Sequence, residues 1–326
     1  MSAPQISFVV PYFASHSRLG ACRASVHEHC SLGHEVIIVD DGNIAGKKAV
    51  ADGDNMRVIA LEENRGPGYC RNRGIEAAQA EWIFFLDSDD LLLGDPAAYL
   101  IAAGDARPDI ITGVLGSDRL FPILARDLPR TTNLGKEIAL AKLAFFTAHL
   151  YRRDFLIGSG ARFAEDIRNA EDTVFLMRAL AAAEAVLLTE TSVYGYDQRH
   201  DSLSKSTADD KVAGFTERFG TAAGAVADAL SAYPSAQAVK ASMTFKYGLK
   251  ALAGLAAHDQ PAALEAAHVL ADFASRLQLR SAEARAARKA ANVYWDDRHR
   301  ACAGMCEAGD LPQLIANLRA APIRIS

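Results

Sequence analysis

Trp82-Ile83-Phe84-Phe85-Leu86-Asp87-Ser88-Asp89-Asp90 sets five apolar residues directly against an acidic cluster. A short apolar run with no polar alternation reads as a strand buried on both faces. Four similar runs flank it: Ile6 to Val10, Val36 to Val39, Val58 to Leu61 and Ile110 to Val114. Between them lie stretches long enough for crossover helices, notably Arg18 to Cys30 and Gly68 to Ala80. Strand–helix alternation predicts an α/β fold, a mainly parallel sheet flanked by helices. Ligands of such sheets gather at the carboxyl ends of the strands, so the residues after each run matter most.

Those residues are polar and specific. Pro11-Tyr12-Phe13 follows the first run, and Asp40-Asp41-Gly42-Asn43 the second. Glu62-Glu63-Asn64-Arg65-Gly66-Pro67-Gly68 follows the third, and Asp87-Ser88-Asp89-Asp90 the fourth. Acidic groups therefore recur along one rim. Further on, Glu171-Asp172 opens a helical run, Thr173 to Ala183. Short strands are expected at Val186 to Thr189 and Val193 to Tyr196, ahead of Arg199-His200-Asp201-Ser202.

The chain has 326 residues, half of them hydrophobic and 23% charged, with a formal net charge of −5. That is enough for one large domain or two ordinary ones, and the negative balance argues against general nucleic-acid binding. The N-terminus carries no basic segment followed by a long apolar one, and no stretch reaches 18 uninterrupted apolar residues. Neither a signal peptide nor a membrane span is expected. Five scattered cysteines fit a reducing compartment, so a cytoplasmic setting is expected, with the inner face of the membrane as a further option.

From about residue 209 alanine dominates and apolar residues recur at helical spacing: Val212, Phe215, Phe219, Ala222, Val226 and Leu230. Helices are expected over 209–230, 236–257, 261–278, 281–295 and 311–320. A boundary at 208/209 divides the chain into a sheet domain, 1–208, and an α-helical domain, 209–326. His299, Cys302 and Cys306 share one helix face. They fit buried packing better than zinc, because a fourth ligand is missing. Arg276, Arg280, Arg285 and Arg288 make a basic stretch, which reads either as a solvated face or as a peripheral contact with an anionic membrane.

Each motif carries two readings. Asp87-x-Asp89 suits Mg²⁺ or Mn²⁺, which take hard carboxylate oxygens; it also suits an acidic turn in which Asp89 or Asp90 caps a helix from Leu91. Asp41 suits hydrogen bonding to a nucleobase or ribose, or an Asp-Gly turn. Arg71 and Arg73 suit phosphate oxygens, or solvent. Asp172 with Glu171 suits general-base chemistry, or a helix dipole. No Gly-x-Gly-x-x-Gly follows the first strand, which argues against a dinucleotide-binding dehydrogenase.

Taken in order, Val9-Val10-Pro11-Tyr12, Val39-Asp40-Asp41-Gly42, Asn64-Arg65-Gly66 with Arg71-Asn72-Arg73-Gly74, Phe85-Leu86-Asp87-Ser88-Asp89-Asp90, Glu171-Asp172 and Ser202-Leu203-Ser204 resemble glycosyltransferase family 2. The resemblance covers about residues 5 to 205. It implies the GT-A fold and an inverting sugar transfer from a nucleotide-sugar, UDP-linked, to a glycan or lipid-linked acceptor, with Mn²⁺ or Mg²⁺ as cofactor. Surface polysaccharide synthesis is the implied pathway. Asp41 resembles the carboxylate that reads uracil, with Pro11 and Phe13 lining the base pocket. Arg71 resembles an arginine near the nucleotide. Asp87 and Ser88 fall in the donor-binding turn, Asp89 resembles the metal ligand, and Asp172 resembles the base, with Glu171 beside it. Arg199 and Ser202 lie in a segment that can close over the diphosphate. Ala14 and Asn43 depart from the family pattern, and the region beyond 209 inherits nothing from it, so a role in dimer formation there is an expectation of its own. Two alternatives stand beside this reading. A nucleotidylyltransferase would need a glycine-rich first loop, which Pro11-Tyr12-Phe13 does not offer. A non-catalytic carbohydrate-binding protein could keep the fold.

Overall fold

The structure is a computed structural model that describes residues 4–13, 16–42, 55–114, 145–195, 208–291 and 293–320. The chain divides into two compact units, one ending at His200 and one running from Asp201 with Leu140–Leu143.

The first unit is built on a seven-stranded sheet in the order β3-β2-β1-β4-β7-β6-β8. These strands are β1 (Ile6–Tyr12), β2 (His34–Asp40), β3 (Met56–Ala60), β4 (Trp82–Phe85), β6 (Ile110–Thr112), β7 (His149–Arg152) and β8 (Val186–Leu188). β1 pairs in parallel with β2 and β4, β2 with β3, and β6 with β8; β7 runs antiparallel to both neighbours. Burial on both faces explains the apolar runs of β1, β2, β4 and β6, whereas β3, at the edge of the sheet, is only partly buried, contrary to the sequence expectation. Phe8, Val10 and Tyr12 pack toward Leu19, Cys22 and Val26 of helix α1 (His16–His29). On the opposite face Phe85 meets the rings of Phe146, Tyr151, Phe163 and Phe175.

Helix α2 (Pro67–Ala77) follows β3 and lies against β1 and β2. Pro67 sits in its first turn, where the missing N–H costs nothing. Gly74 lets it approach: a Cβ there would run into Val9 Cγ1. Helices α3 (Ala97–Ala103), α4 (Arg153–Ser159) and α5 (Glu171–Ala182) complete the unit.

Two features depart from the sequence reading. No helix starts at Leu91. Leu91–Leu92 is strand β5, antiparallel to β9 (Tyr194–Gly195), with Leu93 N donating to Val193 O at 2.7 Å. Gly94-Asp95-Pro96 then delays the helix to Ala97, and Asp90 accepts from Tyr194 Oη (2.5 Å) instead of capping. Strand β7 was not expected, because His-Leu-Tyr-Arg has polar ends and no β-branched residue to mark it.

The second unit is helical among the described residues: α6 (Ala208–Thr216), a π-helical turn (Glu217–Ala222), α7 (Ala223–Ala229), α8 (Pro234–His258), α9 (Gln260–Arg276), α10 (Ala282–Ala290), α11 (Asp297–Ala308) and α12 (Leu311–Ala320). The expected 281–295 helix stops at Ala290, and Asp296 caps a separate α11 by accepting from His299 N at 2.8 Å. Alanines explain the close packing. Ala263, Ala266, Ala267 and Ala274 of α9 are fully buried in one core with Leu249, Leu252 and Ala256 of α8. Cys302 and Cys306 lie in that core, and among the described residues no group of three or more His, Cys, Asp or Glu could hold a metal ion. No helix among the described residues is long and apolar enough to cross a membrane.

Gly74→Ala should destabilise the first unit by about 1–3 kcal/mol, the usual cost of overpacking a filled core. Urea unfolding followed by circular dichroism checks this; an unchanged midpoint would contradict the close approach of α2 to β1.

Candidate active site

The carboxyl ends of β1, β2 and β4 lie side by side, because the strands are parallel and in register from Ile6, His34 and Trp82. The residues after them therefore meet along one rim. β7 runs the other way, which brings the chain just before His149 to the same rim, beside the end of β4.

At the centre is Arg71. Its side chain is 6% exposed. Nη2 donates to Asp87 Oδ1 (2.7 Å) and Nη1 to Glu171 Oε1 (2.9 Å). The rings of Phe146 and Phe163 stand 4.5 Å and 5.2 Å from its guanidinium carbon. The two carboxylates hold Arg71 charged more firmly than usual, against the effect of its burial. Glu171 is buried, and its carboxyl pKa is raised: burial is the largest cause, Arg71 opposes it, and the charge of Asp172 adds to it. The N-termini of α2 and α5 meet here because residue 68 is glycine; a Cβ on Gly68 would sit 2.8 Å from Ala164 O and 3.3 Å from Glu171 Cγ.

Asp172 is the second residue of α5 and partly exposed. Its Oδ1 accepts from Thr173 N (2.6 Å) and Thr173 Oγ1 (3.3 Å). The helix enters through Ala170, left-handed at φ 71°, a conformation that alanine adopts at a steric cost.

The turn after β4 closes with Asp90 N donating to Asp87 O (3.0 Å). Ser88 and Asp90 point inward, while the side chains of Asp87 and Asp89 are 30% and 42% exposed. Asp89 pairs with Arg18 at 3.5 Å. A partly exposed pair of this kind is worth little and is readily exchanged. Two accessible carboxylates on one tight turn form a hard-oxygen donor set that fits Mg²⁺ or Mn²⁺.

Asp41 is buried and already engaged. It accepts from Arg65 N (2.6 Å) and Gly66 N (2.9 Å), and so caps the approach to α2. Burial, and after it the charge of Asp41, raise the pKa of the Cys70 thiol. Gly42, at φ 87°, packs under this loop; a Cβ there would lie 2.6 Å from Asn64 N. Pro11, the residue before the last of β1, is partly exposed opposite Val39, and Phe13, just past the strand, is 44% exposed.

The family model for glycosyl transferase family 2 matches residues 7–147. Residues 7–147 are thus similar to glycosyltransferase family 2. Among relatives, the succinoglycan biosynthesis protein ExoO of Rhizobium meliloti (strain 1021) is 29% identical over 221 residues, 62% of this chain and 63% of that one. The poly(ribitol-phosphate) beta-N-acetylglucosaminyltransferase TarS of Staphylococcus aureus (strain MW2) is 27% identical over 187 residues, 53% of this chain and 32% of that one. The chain thus matches less than two thirds of the length of these relatives. In three dimensions it matches residues 1–349 of S. aureus TarS in complex with UDP-GlcNAc, with a TM-score of 0.72 at 18% identity, over 97% of this chain and 91% of that one.

The GT-A fold expected of a family 2 glycosyltransferase is therefore present. The likeness to TarS runs past the sheet into the helical region, which the sequence reading had left outside any resemblance. Arg199 and Ser202, like Ala14 and Asn43, lie outside the described residues. In the helical unit Arg276 pairs with Asp228, and Arg280 with Glu307 at 3.5 Å. Arg288 is buried, donating to Ser242 Oγ (3.0 Å) and Leu279 O (2.7 Å) over the Trp295 ring. These three members of the basic stretch are thus engaged within the unit.

Sequence reasoning quoted Asn72 without giving it a task. Its amide bonds Phe163 N, Phe163 O and Glu165 Oε1, at 3.0, 3.0 and 2.8 Å, and so fixes the segment that leads toward α5. Phe146 and Phe163 were missed altogether, since no local pattern marks a ring that packs on a distant arginine.

Asp41→Asn should cost about 2 kcal/mol, because one of the two backbone donors at Arg65 and Gly66 would then face an amide NH₂. Chemical denaturation of the variant checks this; wild-type stability would contradict the capping role.

Proposed function

We propose that the chain transfers a sugar from a nucleoside-diphosphate sugar, UDP-linked, to a hydroxyl of a glycan or lipid-linked acceptor, with inversion, in bacterial surface polysaccharide synthesis. The observation that carries this reading is the pair of charge-assisted bonds from Arg71, which bring the carboxylate turn after β4 and the Glu171-Asp172 pair to one rim. The named activity of TarS and the named pathway of ExoO support the reaction class and the setting. A TarS structure with UDP-GlcNAc supports the donor class.

Catalysis belongs to the sheet domain, residues 1–208. The base of the donor lies over the ends of β1 and β2, against Pro11 and Phe13 and beside the loop that Asp41 holds. Asp87 and Ser88 face the ribose and diphosphate. Mn²⁺ or Mg²⁺, held by Asp89 with Asp87, would supply positive charge to the departing diphosphate. Asp172 accepts the proton of the acceptor hydroxyl at Oδ2, since Oδ1 is taken by Thr173. The acceptor oxygen then forms its bond to the anomeric carbon as the bond to the diphosphate breaks on the opposite face, and one displacement inverts the centre. Glu171, locked to Arg71, keeps the start of α5 in place.

Asp172→Asn should lower transfer by about 10²- to 10⁴-fold, the usual contribution of a general base, and leave UDP affinity unchanged. Acceptor-dependent UDP release and calorimetric UDP binding measure the two effects. Transfer at the wild-type rate would show that another group removes the proton.

A further inference from the structure

The surroundings of Arg71 differ from the nucleotide contact that the family resemblance implies. A nucleotide contact needs a donor that faces the ligand. Both terminal nitrogens of Arg71 are spent on protein carboxylates. Its Nε is sealed from solvent and meets no acceptor. Phe146 and Phe163 stand close to its guanidinium carbon.

The backbone that carries it is also held. Gly74, one turn on, lies against Val9 of the central strand, and neighbouring Asn72 bonds the segment at Phe163 and Glu165. Asp87 stands at the end of β4, and Glu171 in the first turn of α5. They are 84 residues apart in sequence but share one guanidinium. Through Arg71 a single rigid helix sets the distance between the β4 turn and the helix that bears Asp172.

We propose that Arg71 is a positioning residue and not a nucleotide contact: it clasps Asp87 and Glu171 and so holds the β4 turn in register with the start of α5. This inference rests on the function proposed above. Loss of the clasp frees the Asp87 side chain and leaves Glu171 buried without its counter-charge, a change that destabilises the fold. Removing both Arg71 and Glu171 takes away the uncompensated charge, which restores folding without restoring the hold on Asp87.

The test compares wild type, Arg71→Met and the double variant Arg71→Met/Glu171→Met, using UDP with and without Mn²⁺. Arg71→Met should melt well below wild type, and the double variant should recover most of that loss. In the refolded double variant, UDP affinity without metal should stay within about threefold of wild type. The tightening of UDP binding by Mn²⁺ should fall by about tenfold or more, since each tenfold is one unit in log affinity lost at the Asp87 turn. A tenfold loss of metal-free UDP affinity in the double variant would make Arg71 a nucleotide contact and overturn the proposal. Full Mn²⁺ tightening in that variant would reduce Arg71 to a purely structural pair and overturn it equally. Wild-type protein that does not bind UDP with Mn²⁺ would instead overturn the functional reading, and this inference with it.

Discussion

Everything at the rim depends on one buried guanidinium shared by two carboxylates. Taking charges out of water is expensive, and a buried ion pair is favourable only when its geometry is good and its remaining groups are satisfied. Arg71 meets most of that demand with two charge-assisted bonds and two nearby aromatic rings. Its cost is met by the surrounding packing, in which Phe163 and Phe175 stack at 3.9 Å and Phe85 closes the cluster. Aromatic pairs of this kind contribute about 0.5–1.5 kcal/mol each beyond their buried area. The aromatic layer under the sheet is thus the support on which the charged layer rests.

The sheet supplies the rest of the precision. Parallel pairing of β1, β2 and β4 puts their exits on one edge, and three successive exits carry Pro11-Tyr12-Phe13, Asp40-Asp41 and Asp87-Ser88-Asp89-Asp90. Two of these exits are fixed by side chains: the β2 exit by Asp41, which accepts from the Arg65 and Gly66 backbone, and the β4 exit by Tyr194 on Asp90 and Arg71 on Asp87. Asp87 and Asp89 are the more exposed carboxylates of this framework, and under the proposed function they are the groups that would meet a metal-bound diphosphate.

Much of this was legible in the sequence, for physical reasons that differ by element. The apolar runs at Ile6, Val36, Trp82 and Ile110 announce doubly buried strands, while the run at Val58 locates β3 but not its half-exposed place at the sheet edge. The acidic pairs stand out because they recur after successive strands, at the edge where ligands of such sheets gather. Strand β7 was hidden because an inserted antiparallel strand follows no crossover rhythm and His149 and Arg152 disguise its apolar centre. The helix expected at Leu91 was a strand, because Leu91 and Leu92 find their partners at Tyr194 and Gly195, about a hundred residues on. The clasp at Arg71 was illegible for the same reason: Arg71, Asp87, Phe146, Phe163 and Glu171 become neighbours only after the sheet is assembled. In the helical unit, Ala and Leu periodicity gave the helices but not the break at 291–296, where Asp296 starts a new helix through a single side-chain bond.

The central claim is that one rim, organised by Arg71, binds the diphosphate of a sugar donor. The most direct measurement is a crystal structure with UDP and Mn²⁺, with the manganese located by anomalous scattering. The account predicts a manganese peak at Asp89, the diphosphate on the same ion, uracil near Pro11 and Phe13, and Arg71 still joined to Asp87 and Glu171. A nucleotide bound elsewhere, or manganese away from the Asp87–Asp90 turn, would contradict it.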